Sequence, residues 1–197
     1  MTFNKLSIIS ILSVLIFILT NCSIPYPLAT GVAAKAVVVS KSDQSFGDYV
    51  DDALIKTILK NSYFDQNEQI FFNVDVEVSQ GRVLLTGTVK NIDLRIEATR
   101  IAWGVNGVET VINEIQISES DSILNFADDL VISTKVMAKI MLDEDVNSLN
   151  YNIETVNKIV YIIGISGSSD EKQKVIDLSK EVFGVEEVVD YITINSE

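Results

Sequence analysis

The sequence repeats itself once, and this repeat constrains the fold more than any other feature. Gly87 recurs 77 positions later as Gly164. The same offset relates the other matching positions: Asp51 and Asp52 match Asp128 and Asp129, Gly107 matches Gly184, Val108 matches Val185, and Ile117 matches Ile194. A unit of about 70 residues is longer than a solenoid repeat of roughly 20–50 residues and falls in the size range of domains. We therefore expect two similar small domains in tandem.

The first half of each unit has the pattern of a helix followed by a β-hairpin. In the first unit, four apolar residues at helical spacing are predicted to face the core: Val50, Leu54, Ile58 and Leu59. Apolar residues then alternate with polar ones from Phe72 to Val78, which indicates a strand with one buried face. Gln80 and Gly81 suit a tight turn, because Gly tolerates positive φ. Residues 82–89 are the predicted returning strand.

The second half of each unit predicts a helical crossover to a third strand. A second helix is indicated by apolar residues at helical spacing: Leu94, Ala98, Ile101 and Val105. Its exit is marked by Gly104 and Gly107. A third strand closes the unit with Val108, Val111, Ile115 and Ile117. In the second unit, Ser168 and Glu171 have the spacing of a capping box at the start of a helix. The predicted fold class is α+β, with two tandem α-β-β-α-β domains, each a three-stranded mixed sheet packed on two helices.

The repeated unit resembles a BON domain, and the whole chain is similar to the dual BON-domain lipoproteins of the bacterial outer membrane. The residues that carry the resemblance are GRVLLTG at 81–87, IAWGVNG at 101–107, NEI at 113–115 and ISTKV at 132–136. We place the two domains at residues 48–117 and 126–195.

The first 21 residues are predicted to be a lipoprotein signal peptide. Lys5 precedes an apolar run from Leu6 to Leu19, which fits a signal-peptide core of about 7–15 residues and is short of the roughly 20 that span a bilayer. The sequence LTNC that ends at Cys22 is similar to a lipobox, which implies lipidation of Cys22 and a location on the periplasmic side of the outer membrane. Asn21 departs from the lipobox pattern, so the alternative is an uncleaved anchor in the inner membrane.

Two segments are predicted to be linkers. Residues 22–47 contain two prolines and a low-complexity Ala/Val run, and they show neither helical nor strand periodicity. As a flexible tether, such a chain averages roughly 25–30 Å from end to end. The alternative is that the Ala/Val run packs on the first domain. Residues 118–125 are rich in serine and acidic residues and are expected to be a solvated linker between the domains.

The composition argues against catalysis and against nucleic-acid binding. The chain has no histidine, which excludes His-based triads and His-ligated metals. Its 28 acidic and 15 basic residues give a net charge of −13, which disfavours contact with phosphate backbones. Residues 164–167 lack a P-loop lysine, and residues 143–145 lack the glycine and spacing of a calcium loop. We expect no enzymatic activity, no cofactor and no metal, and we expect Trp103 to be a core residue, with a partner contact as the alternative.

The first helix of the second unit, predicted for Asp128–Met141, is apolar on two faces. At 100° per residue, Ile132, Val136 and Ile140 form a stripe that is expected to face the sheet. The opposite side carries further apolar residues: Leu130, Thr134, Met137 and Met141. An isolated small domain needs only one apolar face, so the second face is expected to contact the first domain, another copy, a lipid or a protein partner.

The aligned face of the first unit differs from this one. It is predicted to carry Lys56, Thr57 and Lys60. Domain 2 is therefore the expected contact domain.

The resemblance bears on the same helix. In dual BON-domain lipoproteins, the helix in this position is implicated in contact with anionic phospholipids, and an aromatic residue precedes the motif that corresponds to residues 132–136. Val131 stands at that position here, and valine cannot anchor at the headgroup level as Trp or Tyr does. The candidate lipid- or partner-binding residues are Leu130, Val131, Thr134, Lys135, Met137 and Met141.

Two functions remain as hypotheses. The first is a non-enzymatic envelope lipoprotein that binds anionic phospholipid through domain 2 and supports outer-membrane integrity under stress. The alternative is a scaffold or adaptor lipoprotein that binds an envelope protein. In both cases the lipid anchor attaches the chain to the membrane, and nucleic acid is not expected as a partner.

Overall fold

The computed structural model describes residues 46–118 and 123–195, and all of these residues belong to one compact unit. The predicted signal peptide, Cys22 and nearly all of the predicted tether lie outside the described residues.

Each copy contains the predicted order of elements. Domain 1 consists of α1 (Phe46–Gln66), α2 (Glu68–Asn73), β1 (Val74–Ser79), β2 (Arg82–Val89), α3 (Ile92–Trp103), β3 (Thr110–Asn113) and β4 (Gln116–Ile117). Domain 2 consists of α4 (Ile123–Met141), a 3₁₀ turn (Ser148–Asn150), β5 (Tyr151–Val156), β6 (Ile159–Ser166), α5 (Ser169–Lys180) and β7 (Glu187–Ile194). The predicted α+β class is confirmed, and equivalent strands and crossover helices start 77 residues apart. The first helix of each domain begins earlier than predicted, inside the segments interpreted as linkers.

Both domains build their sheet in the same way. The central strand pairs antiparallel with the strand before it in the chain and parallel with the strand after the crossover helix. In domain 1 the last strand is split into β3 and β4, because Ile115 turns into the core at 1% exposure. The equivalent residues Gly87 and Gly164 lie where the second strand of each hairpin passes close to the start of the first strand. A Cβ atom on Gly87 would lie 2.1 Å from the Asn73 carbonyl oxygen, and one on Gly164 would lie 2.1 Å from that of Asn150.

Domain 1 has an extra short helix that the sequence pattern did not predict. The Asn67 side chain accepts hydrogen bonds from the backbone N–H groups of Gln69 and Ile70, which starts α2. Ile70 is fully buried, whereas Phe72 on the same helix is exposed. The prediction that Phe72 begins a strand is therefore wrong, and β1 starts at Val74.

A buried aspartate in each domain joins the first helix to the hairpin turn. The Asp52 carboxylate accepts hydrogen bonds from the N–H groups of Gln80 and Gly81, both at 2.8 Å. The Asp129 carboxylate does the same for Asn157 and Lys158, also at 2.8 Å. All four turn residues have positive φ, which fits a tight two-residue hairpin turn. This clamp explains why an Asp recurs at this position of the repeat.

The clamp also determines which face of α1 is buried. Because Asp52 points inward, the residues that follow at helical spacing on the same side enter the core: Ile55, Leu59 and Tyr63. The prediction that Val50, Leu54 and Ile58 face the core is wrong, because these three side chains are 40–54% exposed.

The two domains pack against each other through their sheets. Residues of β2 alternate: Val83 and Leu85 face the helices of domain 1, whereas Leu84 faces the other way. Leu84 joins an apolar cluster with the outer face of the domain 2 sheet, including Tyr161 and Ile163. The sequence predicted two separate domains, and the structure shows a four-layer arrangement of helices, sheet, sheet and helices.

Equivalent residues meet across this interface, as they do at a two-fold axis. Leu84 and its equivalent Tyr161 share the apolar cluster. The Tyr191 hydroxyl donates to the carboxylate of Glu114, its own equivalent in domain 1. Arg82 adds a hydrogen bond of 2.9 Å to the Tyr191 carbonyl oxygen. The tandem repeat thus folds as an internal pseudo-dimer.

Candidate functional site

The inward face of α4 is as the sequence predicts. Ile132, Val136 and Ile140 are 5% exposed or less and lie in the core of domain 2. Because Asp129 holds the hairpin turn on the same side, the rotation of α4 about its axis is fixed. The remaining face of the helix points away from its own sheet.

The six candidate residues divide into three groups. Leu130, Val131 and Met141 are large apolar side chains that are 49–65% exposed. Thr134 and Lys135 are also exposed, and the Thr134 hydroxyl donates to the Leu130 carbonyl oxygen at 2.8 Å. Met137 is only half-buried rather than exposed, which makes it a weaker contact residue than the sequence suggested.

Leu130 lines a cleft between the two domains. The cleft has a volume of about 560 Å³, and its apolar walls include Phe72 from domain 1 and Phe126 and Ile153 from domain 2. Phe126 lies one helical turn before Leu130 and is exposed. Its spacing from Leu130 was visible in the sequence, but the predicted helix began at Asp128, which left Phe126 out.

An exposed aromatic residue lies beside α4. Phe183, in the loop after α5, is 90% exposed. The next residue, Gly184, lies against the helix, since a Cβ atom placed on it would be 3.1 Å from Ile132 Cδ1. Phe183 therefore precedes the glycine that contacts Ile132, and Ile132 follows Val131, the position where the family resemblance led us to expect an aromatic residue. The sequence contained one sign of this exposed aromatic residue, because Phe183 stands where the first copy of the repeat has Asn106.

The basic residues around this surface are few. Lys135 is exposed and forms no ion pair with the part of the chain that the structure describes. Lys139 pairs with Glu181, and Lys180 at the end of α5 is exposed. Together with Leu130, Val131, Met141 and Phe183, these lysines form what we call the α4 surface, which combines apolar side chains with lysines. The acidic residues Asp128 and Glu181 are exposed on the same elements.

Domain 1 also exposes apolar side chains on its helices. Leu54 and Ile58 on α1 and Ile96 and Trp103 on α3 are 40–59% exposed. Trp103 is thus not a core residue, contrary to the prediction. The lysines that were expected on the outer face of α1 turn toward β1 instead: Lys56 pairs with Glu77 at 2.7 Å, and Lys60 donates to the Val74 carbonyl oxygen at 2.8 Å. Domain 1 therefore also carries an exposed apolar surface.

The acidic residues that follow α4 form ion pairs with α5. Lys174 on α5 pairs with Asp143 at 2.9 Å and with Asp145 at 2.6 Å. Across residues 46–118 and 123–195, no group of three acidic or cysteine side chains is arranged to hold a metal ion. Within the same ranges, no helix has the length and apolar character needed to cross a bilayer.

Comparison with known proteins identifies both copies of the repeat. The model of the BON domain matches residues 51–119 and 128–196. "Uncharacterized protein in gshII 5'region" of Anaplasma centrale is 39% identical over 74% of this chain and 95% of the relative. "Outer membrane lipoprotein DolP" of Haemophilus influenzae is 28% identical, over 81% of this chain and 82% of the relative. "Osmotically-inducible protein Y" of Escherichia coli is 26% identical, over 76% of each chain.

Proposed function

Because this chain belongs to the BON domain family and carries two BON domains in tandem, we propose that it is a lipoprotein of the outer membrane that binds anionic phospholipid through domain 2. It acts by binding rather than by catalysis and supports the integrity of the membrane under stress. Similarity to a protein named as an outer membrane lipoprotein supports the location. Lipidation at Cys22 attaches the chain to the membrane.

The observation that carries this proposal is the composition of the α4 surface. Phe183 is almost fully exposed and adjoins a helix that exposes Leu130 and Val131. Aromatic side chains favour the membrane–water interface, and burial of a large apolar side chain contributes about 1.5–3 kcal/mol. Each lysine near an anionic surface adds roughly 1 kcal/mol. Lys135 and Lys180 therefore favour anionic over neutral lipid.

Because the lipid anchor attaches the chain to the membrane, a weak contact between the α4 surface and lipid is sufficient. A chain with net charge −13 is repelled as a whole by an anionic surface. However, attachment through a lipid at Cys22 holds the domains at a roughly millimolar effective concentration near the surface. The α4 surface then needs only a modest affinity to remain in contact with lipid.

The test is co-sedimentation of residues 46–195, which lack the predicted membrane anchor, with vesicles of phosphatidylcholine or of phosphatidylcholine with phosphatidylglycerol. Val131→Asp should reduce binding to the anionic vesicles at least tenfold, because it places a charge in the centre of the α4 surface. Leu54→Asp is the matched control, since Leu54 is the equivalent residue of domain 1 and is similarly exposed. Equal loss in both variants, or no binding by the wild type, would contradict the proposal.

A second candidate function is that of an adaptor for an envelope protein, and the exposed helices of domain 1 favour it. The four-layer arrangement puts the helices of the two domains on opposite outer faces. When α4 lies on a membrane, Ile96 and Trp103 point away from it and are free to contact a protein. A photocrosslinking residue at Ile96 should capture a protein in intact cells, whereas one at the equivalent Gln173 of domain 2 should not.

A further inference from the structure

Strand β5 borders the cleft between the two domains with an open sheet edge. Its residues 153–156 form part of the cleft wall. Within residues 46–118 and 123–195, β5 pairs with β6 alone. The edge of a sheet carries backbone N–H and C=O groups that can pair with another extended chain. The cleft therefore contains a place where a further strand can be added to the domain 2 sheet.

The geometry of the hairpin shows which backbone groups of β5 lie on the open side. Val156 and Ile159 are opposite each other across the two-residue turn, where the closing pair exchanges backbone hydrogen bonds. Hydrogen-bonded and non-hydrogen-bonded pairs alternate along an antiparallel ladder. The N–H and C=O groups of Ile153 and Thr155 thus point away from β6, and these residues offer donors and acceptors to a chain beside them.

The equivalent edge of domain 1, on β1, is covered by side chains. The same alternation turns two of its carbonyl groups away from β2, and each accepts a side-chain hydrogen bond: Val74 from Lys60 Nζ at 2.8 Å, and Val78 from Asn152 Nδ2 at 3.4 Å. The residues equivalent to Lys60 and Asn152 in the repeat are Met137 and Asp75. Neither of these side chains has an N–H group, so they cannot cover the edge of β5 in the same way.

The two sides of the cleft differ in chemistry. On the α4 side, Phe126 and Leu130 are 67% and 58% exposed. On the domain 1 side, the Asp75 side chain is half-exposed, and its ion pair with Lys60 is long at 3.5 Å. Acidic side chains outnumber basic ones in the cleft wall, with Asp75, Asp129 and Glu154 against Lys90. The cleft therefore favours a cation on the domain 1 side and an apolar group on the α4 side.

We propose that this cleft binds an extended peptide segment in which apolar and basic residues alternate, and that the segment adds a strand to the open edge of β5. Successive side chains of a strand point to opposite faces. The basic side chains lie toward Asp75, and the apolar ones lie toward Phe126 and Leu130. In strand addition, main-chain hydrogen bonds supply the affinity and alternate side chains supply the specificity. The cleft wall includes neither Val131 nor Phe183, so this site goes beyond the lipid contact proposed above.

The experiment titrates isotopically labelled residues 46–195 with a blocked peptide of alternating valine and lysine, about seven residues long, and follows the backbone amide signals by NMR. We expect the signals of Ile153 and Thr155 to shift and their hydrogen exchange to slow. The signals of Val76 and Val78, the equivalent residues of β1, should not change. The same peptide with N-methylated backbone amides should bind at least tenfold more weakly, because it cannot donate hydrogen bonds to the edge.

A charge reversal tests the recognition of the basic side chains. Asp75→Lys should weaken binding of the valine–lysine peptide at least tenfold, because it places like charges together. Asp128→Lys is the matched control and should leave binding unchanged, since Asp128 is exposed and does not line the cleft. If Asp75→Lys does not fold, Asp75→Asn removes the same charge and should weaken binding in the same direction.

The proposal is overturned if the peptide does not bind at millimolar concentration, or if N-methylation or the loss of the Asp75 charge leaves binding unchanged. Shifts of Ile153 and Thr155 that depend on protein concentration alone would assign the edge to a second copy of the chain. The same shifts with octyl glucoside, but not with the peptide, would assign the cleft to a hydrocarbon chain. Either of these two results also overturns the proposal.

Discussion

Replacing Asp129 with alanine should destabilise domain 2 and disturb the α4 surface together. The Asp129 carboxylate is 7% exposed and accepts two backbone hydrogen bonds of 2.8 Å from the turn between β5 and β6. Hydrogen bonds to charged groups contribute about 1.5–3 kcal/mol each, and alanine leaves both N–H groups without this acceptor. We therefore expect Asp129→Ala to lower the free energy of unfolding by about 3–5 kcal/mol.

Urea denaturation of the full chain, followed by circular dichroism, measures this loss. Asp128→Ala is the matched control. Its side chain is exposed, and the change should stay within about 0.5 kcal/mol. Asp129→Asn keeps one acceptor oxygen and should lie between the two. If Asp129→Ala lies within about 1 kcal/mol of the wild type, the turn does not depend on the carboxylate, and the aspartate recurs in the repeat for some other reason.

Three further outcomes follow from the structure. Phe183→Ser should weaken binding to phosphatidylglycerol vesicles by about 10- to 100-fold. Trp103→Ser, a change at an exposed aromatic residue of domain 1, should alter binding less than threefold in the same assay. Gly164→Ala should prevent folding of domain 2, as measured by circular dichroism, because the new Cβ would lie 2.1 Å from the Asn150 carbonyl oxygen. Gly104→Ala should be tolerated, because the nearest atom to its Cβ would be 3.3 Å away. Burial raises the pKa of Glu154 to about 8 in the folded protein, so the folded state binds this proton more tightly than the unfolded state. In urea denaturation, the wild type should therefore lose roughly 2–4 kcal/mol of stability between pH 4.5 and pH 8 relative to Glu154→Gln. An identical pH profile for the two proteins would refute this.

The repeat allowed most of the fold to be predicted from the sequence. One offset aligned the copies, and the strand and helix periodicities placed the hairpin and the crossover helix in both. The rotation of α1 could not be predicted in this way. Val50, Leu54 and Ile58 form a regular apolar stripe, but the inward position of Asp52 turns that stripe to solvent. A prediction from the spacing of apolar residues cannot place a charged residue such as Asp52 on the buried face.

The packing of the two domains was missed for a different reason. The run from Val160 to Ile165 is buried on both faces of β6, and a continuous apolar run is typical of a strand that is covered on both sides. The run therefore indicates a sheet that is covered on both faces, whereas the predicted domains cover only one face of each sheet. Phe183 was missed because it lies in a loop, where no periodicity marks it.

The clearest single test is to find which side of the protein touches the membrane. The full chain is bound to phosphatidylglycerol nanodiscs that contain a lipid with a paramagnetic headgroup, and the relaxation of side-chain NMR signals is measured. The signals of Val131 and Phe183 should broaden, whereas those of Leu54 and Ile96 should not. Broadening of Leu54 or Ile96 with no effect at Val131 and Phe183 would show that domain 1, and not the α4 surface, binds the lipid.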